Sequence, residues 1–342
     1  MKVLFLTGEI GFGGQERQCV NLYNALNESD ISCKIFVWNS SNIDNNDIII
    51  AKGNFFQKIM HLGSIIKKEK YDVLFCMTFY LNIISYLMSK ISNIKSLGSI
   101  RNNLSVMRSE MNFIFFIINY IFPKKILSNS QNYKTNFNYL NKKIYYLPNI
   151  INFESKVKSN FNISKDNEIN TLSVSRLYKV KNIDFIIDFV NYIHLRGFNI
   201  KHCHYGDGPE LEGLKNKIND LGLTNIFQIK EGTTAIEKSY TNADFFFHSS
   251  KFEGMPNVVL EAMFFGVPVI SSDCGDLHRI VKNEINGYVF PHFDLESYFK
   301  VFNKLVIEKN LYNNISINAN KTIESDFSKK TVVERFKEII KQ

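Results

Sequence analysis

The residues best suited to chemistry lie between Ala243 and Gly275, where a phenylalanine-rich run gives way to Glu253-Gly254-Met255-Pro256-Asn257 and, further on, Glu261. Ala243–His248 reads as a buried strand, Pro256 suits the first turn of a helix, and Gly266 suits its end. The next strand is expected from Val267. A strand–loop–helix unit of this kind points free backbone N–H groups at the carboxyl edge of a sheet, where an anion can sit. Gly254 lets the main chain approach a diphosphate closely. Glu261, about one turn into the helix, is near enough to accept hydrogen bonds from a ribose, and Glu253 is placed to meet a sugar beyond the phosphates. A carboxylate offers only acceptors, which suits vicinal hydroxyls. Two surface glutamates beside an ordinary turn would use the same residue types.

Short apolar strands alternate with polar turns and helical stretches along the whole chain. Val3–Thr7 precedes a glycine turn and an amphipathic run from Gln15 to Leu26; Cys33–Trp38, Val73–Cys76 and Ser96–Ile100 follow as buried strands. After Leu147-Pro148-Asn149 the pattern restarts with Leu172–Ser175, Ile200–Tyr205, Ile226–Ile229, Ala243–His248 and Val267–Ser271. Strands alternating with helices predict parallel sheets covered on both faces. The expected organisation is two doubly wound α/β domains. The first spans 1–149, completed by a C-terminal helix at about 328–342, and the second spans 150–327. Gly11, Gly13 and Gly14 do not have the Gly-x-Gly-x-x-Gly spacing and are weak evidence for a dinucleotide.

Bulk properties narrow the partners. The 342 residues suit two domains rather than one small core. Five scattered cysteines show neither metal-ligand spacing nor a disulfide framework, so a reducing cytoplasm is expected. The apolar run Met1–Leu6 is too short for a signal peptide and reads as a first strand. Residues 1–150 carry 17 Lys+Arg against 9 Asp+Glu, and the remainder carries 24 of each, so the whole excess of +8 lies in the first half. One basic domain suits an anionic membrane surface or a phosphate-bearing acceptor. No nucleic-acid-binding motif accompanies the charge, and nucleic acid is not expected as a partner. Residues 111–122 are the most apolar stretch, well short of the ~20 a spanning helix needs. They read either as a core element or as a helix in the membrane interface beside Lys124 and Lys125.

The Glu253-(seven residues)-Glu261 arrangement, with Gly-Met-Pro-Asn inside it, resembles family 4 glycosyltransferases of the GT-B fold. Other segments extend the resemblance over nearly the whole chain: Gly13-Gly14-Gln15-Glu16-Arg17, Leu147-Pro148-Asn149-Ile150-Ile151 (Ile150 where glycine is usual), Ser175-Arg176-Leu177 with Lys181, Gly206-Asp207-Gly208-Pro209 and Asn286-Gly287-Tyr288. The fold it implies is two Rossmann-like domains facing a central cleft. It further implies transfer of a sugar from a nucleotide-sugar with retention of configuration. Glu253 then orients the donor sugar, while Arg176 and Lys181 stabilise the departing diphosphate, as preorganised cations do. Donor contacts are implied for Gly13, Gly14, Gly206, Lys230, Glu231, Gly254, Met255, Pro256, Asn257, Val258 and Glu261, those at Lys230 and Glu231 through the backbone to the base.

Residues 1–150 hold His61 as their only histidine, in a helical-looking stretch, where many relatives place a sugar-contacting histidine at a strand end. Ser99-Ile100-Arg101-Asn102-Asn103 resembles the Ser-x-Arg-Asn variant of polysaccharide-assembly transferases, and Arg101 is expected either to contact a sugar hydroxyl or donor phosphate or to support a loop. No metal or other cofactor is expected, because two cations and amide dipoles can neutralise the leaving group. The donor is expected to be a UDP-sugar. The expected acceptor is a saccharide or lipid-linked saccharide of capsule, O-antigen or exopolysaccharide assembly, on the inner face of the plasma membrane. The alternatives are a sugar-nucleotide epimerase of the same fold and a non-catalytic binding subunit.

Overall fold

The computed structural model describes residues 1–11, 13–43, 45–101, 111–131, 142–151, 153, 163–164, 167–233 and 235–342. The chain divides into two compact units, Met1–Ile150 with Phe327–Gln342, and Ile151–Asp326.

The first unit contains β1 (Lys2–Ile10), α1 (Gly14–Asn27), β2 (Ser32–Ser41), β3 (Ile48–Ile50), α2 (Phe55–Glu69), β4 (Val73–Cys76), α3 (Asn82–Ser92), β5 (Lys95–Ile100), α4 (Phe113–Ile121), β6 (Ile126–Ser128) and β7 (Ile144–Tyr146). Its seven strands are all parallel in the order β3-β2-β1-β4-β5-β6-β7. Val3, Leu4, Phe5 and Leu6 are all fully buried, because helices cover both sheet faces. The 111–122 run forms a helix that buries Phe116, Asn119 and Tyr120 and exposes much of the rest. His61 lies inside α2.

The second unit contains β8 (Ile169–Val174), α5 (Ile183–His194), β9 (Ile200–Tyr205), α6 (Leu211–Asp220), β10 (Phe227–Lys230), α7 (Glu237–Asn242), β11 (Phe245–His248), α8 (Asn257–Phe264), β12 (Val269–Ser272), α9 (Leu277–Ile280), β13 (Tyr288–Phe290), α10 (Leu295–Ile307) and α11 (Lys309–Asp326). Its order is β10-β9-β8-β11-β12-β13, again all parallel. Phe189, Phe245, Phe247 and Phe302 fill its centre with edge-on and tilted ring contacts. The final helix, α12 (Lys329–Lys341), belongs to the first unit: Val332, Val333, Phe336, Ile339 and Ile340 recur at helical spacing on its buried face, and the Phe336 ring lies 5.5 Å from Phe75.

A polar seam crosses the second core between β8 and β9. Thr171 and Ser173 alternate with His202 and His204: Thr171 Oγ1 lies 2.8 Å from His202 Nδ1, Ser173 Oγ is 2.8 Å from His202 Nε2 and 2.7 Å from His204 Nδ1, and His204 Nε2 is 3.1 Å from the Ser175 carbonyl. That carbonyl only accepts, so Nε2 of His204 carries the hydrogen. Ser173 then donates to Nδ1 of neutral His204 and accepts from His202, and the single Thr171 hydroxyl hydrogen is shared between His202 Nδ1 and the Lys201 carbonyl, 3.1 Å away. Burial pushes both imidazoles down, His204 to about 4 and His202 well below the usual histidine range. Among the described residues no helix is long and apolar enough to cross a membrane.

Candidate functional site

In the second sheet the winding reverses between β8, the first strand of the unit, and β11, the fourth. The loops leaving their carboxyl ends therefore diverge and open a crevice, the position where doubly wound sheets bind ligands. The loop after β8 carries Ser175, Arg176 and Lys181; the loop after β11 carries Glu253, Gly254 and Met255. Ser249 Oγ donates to the Lys181 and Asn182 carbonyls at 2.8 and 2.9 Å, and the Lys251 N–H donates to the Val180 carbonyl at 2.8 Å. These bonds fasten the two loops together and bring Lys181 onto Glu253.

Lys181 Nζ and Glu253 Oε1 form an ion pair whose side chains are only 19% and 18% exposed. His248, the last residue of β11, stands behind it. Ser271 Oγ donates to the Ser272 carbonyl (2.8 Å), so it accepts from His248 Nδ1–H at 3.0 Å. The other ring nitrogen, Nε2, is buried without a hydrogen-bond partner and faces Glu253 Oε1 at 3.8 Å, too far for a full hydrogen bond. Burial would raise the Glu253 carboxyl, but the His248 ring and the Lys181 charge outweigh it and hold the group down at about 2. Glu253 is therefore an anion at neutral pH, and its remaining acceptor capacity is available to hydroxyls.

Gly275, at φ +60°, closes the floor of this loop. A Cβ there would lie 2.2 Å from the Gly254 carbonyl oxygen, so no other residue lets β12's exit pass so close to Glu253-Gly254. Pro256 is the N-cap residue of α8, as its fixed φ suits, and Asn257 and Val258 occupy the first turn beside buried Met255. Glu261 lies inside α8, only 2% exposed, and its Oε2 accepts from the Tyr240 hydroxyl at 2.9 Å. Arg176 is exposed at the mouth, its guanidinium 5.3 Å from the Tyr178 ring centroid.

Gly206 packs on the same rim: a Cβ there would meet the Ser175 carbonyl at 1.7 Å. Lys230 ends β10 with its ammonium 5.7 Å from the Tyr205 ring centroid, and exposed Glu231 follows. The second unit thus gathers Arg176, Lys181, Gly206, Lys230, Glu231, Glu253 to Val258 and Glu261 at the carboxyl ends of its strands. Sequence reasoning missed His248 and Tyr240. A lone histidine closing a buried phenylalanine strand was a signal for the first; nothing local marked the second.

In the first unit Gly13 is the N-cap residue of α1 and Gly14 its first residue, and Gln15 Nε2 donates to the Met77 carbonyl at 2.8 Å, joining the loops after β1 and β4. Arg101 is buried, and its Nη1 donates to Asn149 Oδ1 at 3.0 Å. Gln18 satisfies both backbone groups of Ile150, accepting at 2.7 Å and donating at 3.0 Å. Asn102 and Asn103 of the Ser99–Asn103 segment lie outside the described residues.

Residues 155–322 match the model of the family described as glycosyl transferases group 1. An uncharacterized glycosyltransferase of Haemophilus influenzae is 26% identical over 172 residues, covering 49% of this chain and 48% of that protein. The amylovoran biosynthesis glycosyltransferase AmsD of Erwinia amylovora is 25% identical over 202 residues, 58% of this chain and 56% of its own length. The matches thus span about half the length of these relatives. The crystal structure of Anabaena HepE, in complex with UDP and glucose, superposes with a TM-score of 0.81 over 100% of both chains at 17% identity. The chain as a whole therefore has the GT-B fold, and its residues 155–322 carry the glycosyl transferases group 1 sequence pattern.

Proposed function

We propose that this protein is a retaining glycosyltransferase of family 4. It would move a hexosyl or N-acetylhexosaminyl group from a UDP-sugar to a saccharide or lipid-linked saccharide acceptor in cell-surface polysaccharide assembly. The observation that carries the reading is the Lys181–Glu253 ion pair, backed by His248, in the crevice between β8 and β11. The AmsD and HepE likenesses support the choice of pathway and of a UDP-linked donor.

In this reading Glu261 accepts from the ribose hydroxyls, and the backbone of Gly254 to Val258 at the start of α8 cradles the diphosphate, where N–H groups and the helix dipole favour negative charge. Glu253 orients the donor sugar. The bond from the anomeric carbon to the phosphate oxygen breaks, and the acceptor oxygen bonds to that carbon on the same face. The acceptor's proton passes to the departing phosphate, so no protein base is consumed. Charge growing on the diphosphate is neutralised by Arg176 and Lys181, the work a divalent ion does elsewhere. Arg101, Gly13 and Gly14 keep in this reading the donor contacts that the family resemblance implies for them.

The test is a panel of UDP-, GDP- and ADP-sugars scored by thermal shift, since a ligand that binds the native state raises its stability. Hits are then followed by NMR of the product with an oligosaccharide acceptor, with and without EDTA. An axial donor giving an axial product, unaffected by EDTA, is expected. An equatorial product, a strict manganese requirement, or isomerised free donor in place of transfer would overturn the reading.

A further inference from the structure

His248 closes β11 with one ring nitrogen committed and the other left over. Its Nδ1–H donates to Ser271 Oγ at 3.0 Å, because the Ser271 hydroxyl hydrogen goes to the Ser272 carbonyl. A neutral imidazole has a single N–H, so Nε2 then presents a bare lone pair. That atom is buried, has no hydrogen-bond partner among the described residues, and faces Glu253 Oε1 at 3.8 Å. Two acceptors facing each other form no bond, which accounts for the gap. The free protein tolerates the arrangement because Lys181 neutralises Glu253.

A bound sugar nucleotide changes that balance. Its diphosphate carries two negative charges, so Arg176 and Lys181 would answer three anionic charges once Glu253 is counted. A largely buried carboxylate that gives up its lysine is costly unless another cation takes over. The nearby hydroxyls are committed: Ser249 Oγ donates to the Lys181 and Asn182 carbonyls, and Ser272 Oγ to the Ser250 carbonyl at 2.7 Å. Of the other titratable groups around the pair, Asp273 is an acid lying 3.2 Å from His278, and Glu261 of α8 is bonded to Tyr240. Lys251 is exposed to solvent. Burial, with the Glu253 charge, pushes the Cys274 thiol up, so it stays neutral. Among the described residues, His248 is the group that can gain a positive charge directly against Glu253.

We propose that His248 is the positioning residue for Glu253: as the donor diphosphate draws Lys181 away, His248 Nε2 takes a proton from solvent and holds the carboxylate in its place. The inference rests on the transferase reading above and adds a linked proton to it. One proton leaves water and one N–H bond forms; no other bond changes. Nδ1 keeps its bond to Ser271, so the ring need not turn. Closing the gap to the charge-assisted range of about 2.8 Å takes a side-chain movement of about 1 Å. Histidine suits the task because its charge changes close to neutral pH. Glu253 stays anionic throughout and keeps its second oxygen for a sugar hydroxyl. Donor binding therefore takes up a proton, and it strengthens as pH falls.

The experiment is calorimetric titration of the full chain with UDP-glucose, UDP-N-acetylglucosamine and GDP-mannose, each repeated in buffers of different ionisation enthalpy to count protons. The diphosphate of a sugar nucleotide has no group titrating near neutrality, so the protons counted belong to the protein. Wild type is expected to take up about one proton per bound sugar nucleotide just above neutral pH, with Kd weakening up to about tenfold per pH unit. His248→Gln offers Glu253 a neutral donor, so it should bind with the uptake gone and Kd flat with pH. A merely structural histidine would change stability and leave the proton count alone. NMR of wild type with isotope-labelled histidine needs no variant: one Nε2 signal should pass from bare to protonated as the sugar nucleotide is added. Binding without proton uptake, uptake unchanged in His248→Gln, or an Nε2 that stays bare in the complex would overturn this inference alone. Absence of binding by all three sugar nucleotides would sink the transferase reading and this inference with it.

Discussion

Lys181 and Glu253 stand 72 residues apart in the chain yet meet as a largely buried ion pair, fastened by Ser249 and Lys251 to the turn after β8. Removing either charge strands the other in a dry site. Lys181→Met is expected to destabilise the protein by about 3 kcal/mol, the usual cost of an orphaned buried charge, and to lower kcat at least a hundredfold. Lys181→Met with Glu253→Gln should recover most of the stability and none of the activity. Urea titration and steady-state kinetics on the three variants check both parts.

The acid limb of stability should come in two stages. His204 is held at about 4 in the fold, below its ordinary 6.5, so its contribution is complete above the unfolded value and disappears as pH falls from about 6.5 to 4. The loss is about 3 kcal/mol, and His202, displaced in the same direction, adds to it. Glu253 is lowered as well, from 4.5 to about 2, so its contribution is lost only as pH falls through that lower window. Chemical denaturation across pH 7 to 3 should show the first stage in wild type. In His204→Gln the first stage should shrink; an unchanged slope would exclude the seam as its source.

Gly275→Ala tests the floor of the site. The new Cβ would collide with the Gly254 carbonyl at φ +60°, and the Glu253-Gly254 turn must move to relieve it. Loss of kcat/KM by a factor of about a hundred is expected, with destabilisation of about 1–2 kcal/mol. A variant equally stable and equally active would show that the turn's position does not matter for turnover.

Arg176 and Arg101 differ in setting, and their variants should differ in kind. Arg176 is exposed and, among the described residues, its side chain is held only against Tyr178, so Arg176→Ala should leave stability within about 0.5 kcal/mol while lowering kcat about a hundredfold. Arg101 is buried against Asn149, so Arg101→Ala should cost about 1–2 kcal/mol as well as donor turnover. Unchanged kinetics in Arg101→Ala, measured on folded protein, would remove it from the donor site and leave it as a support for the 147–150 segment.

Much of the fold was legible because its long strands are buried on both faces and read as continuous apolar runs. Val73–Cys76 stands where its apolar run places it, Ile200–Tyr205 has the expected bounds although Lys201, His202 and His204 interrupt its apolar residues, and α8 starts after Pro256 and ends before Gly266. The β8 strand runs Ile169–Val174 rather than Leu172–Ser175, since pairing with β9 extends it toward its start and Ser175 already turns into the rim. The β12 strand begins at Val269 rather than Val267, because Pro268 has no N–H to give the ladder. β3, β6, β7 and β13 are three residues each, too short for any period to show; they exist because a neighbouring strand offers a partner.

The strand–loop–helix unit that carries Glu253 and Glu261 was determined by the sequence alone, because its signals are local: a buried aromatic run, a proline at the helix start and a glycine at its end. What surrounds those carboxylates was decided by tertiary structure. Lys181 reaches Glu253 only because β11 lies beside β8 in the sheet order, and His248 faces it only because Ser271 of the next strand holds the ring. Tyr240 reaches Glu261 across a gap of 21 residues. Strand adjacency depends on how all the crossovers pack together, and no local pattern of residue types carries that information.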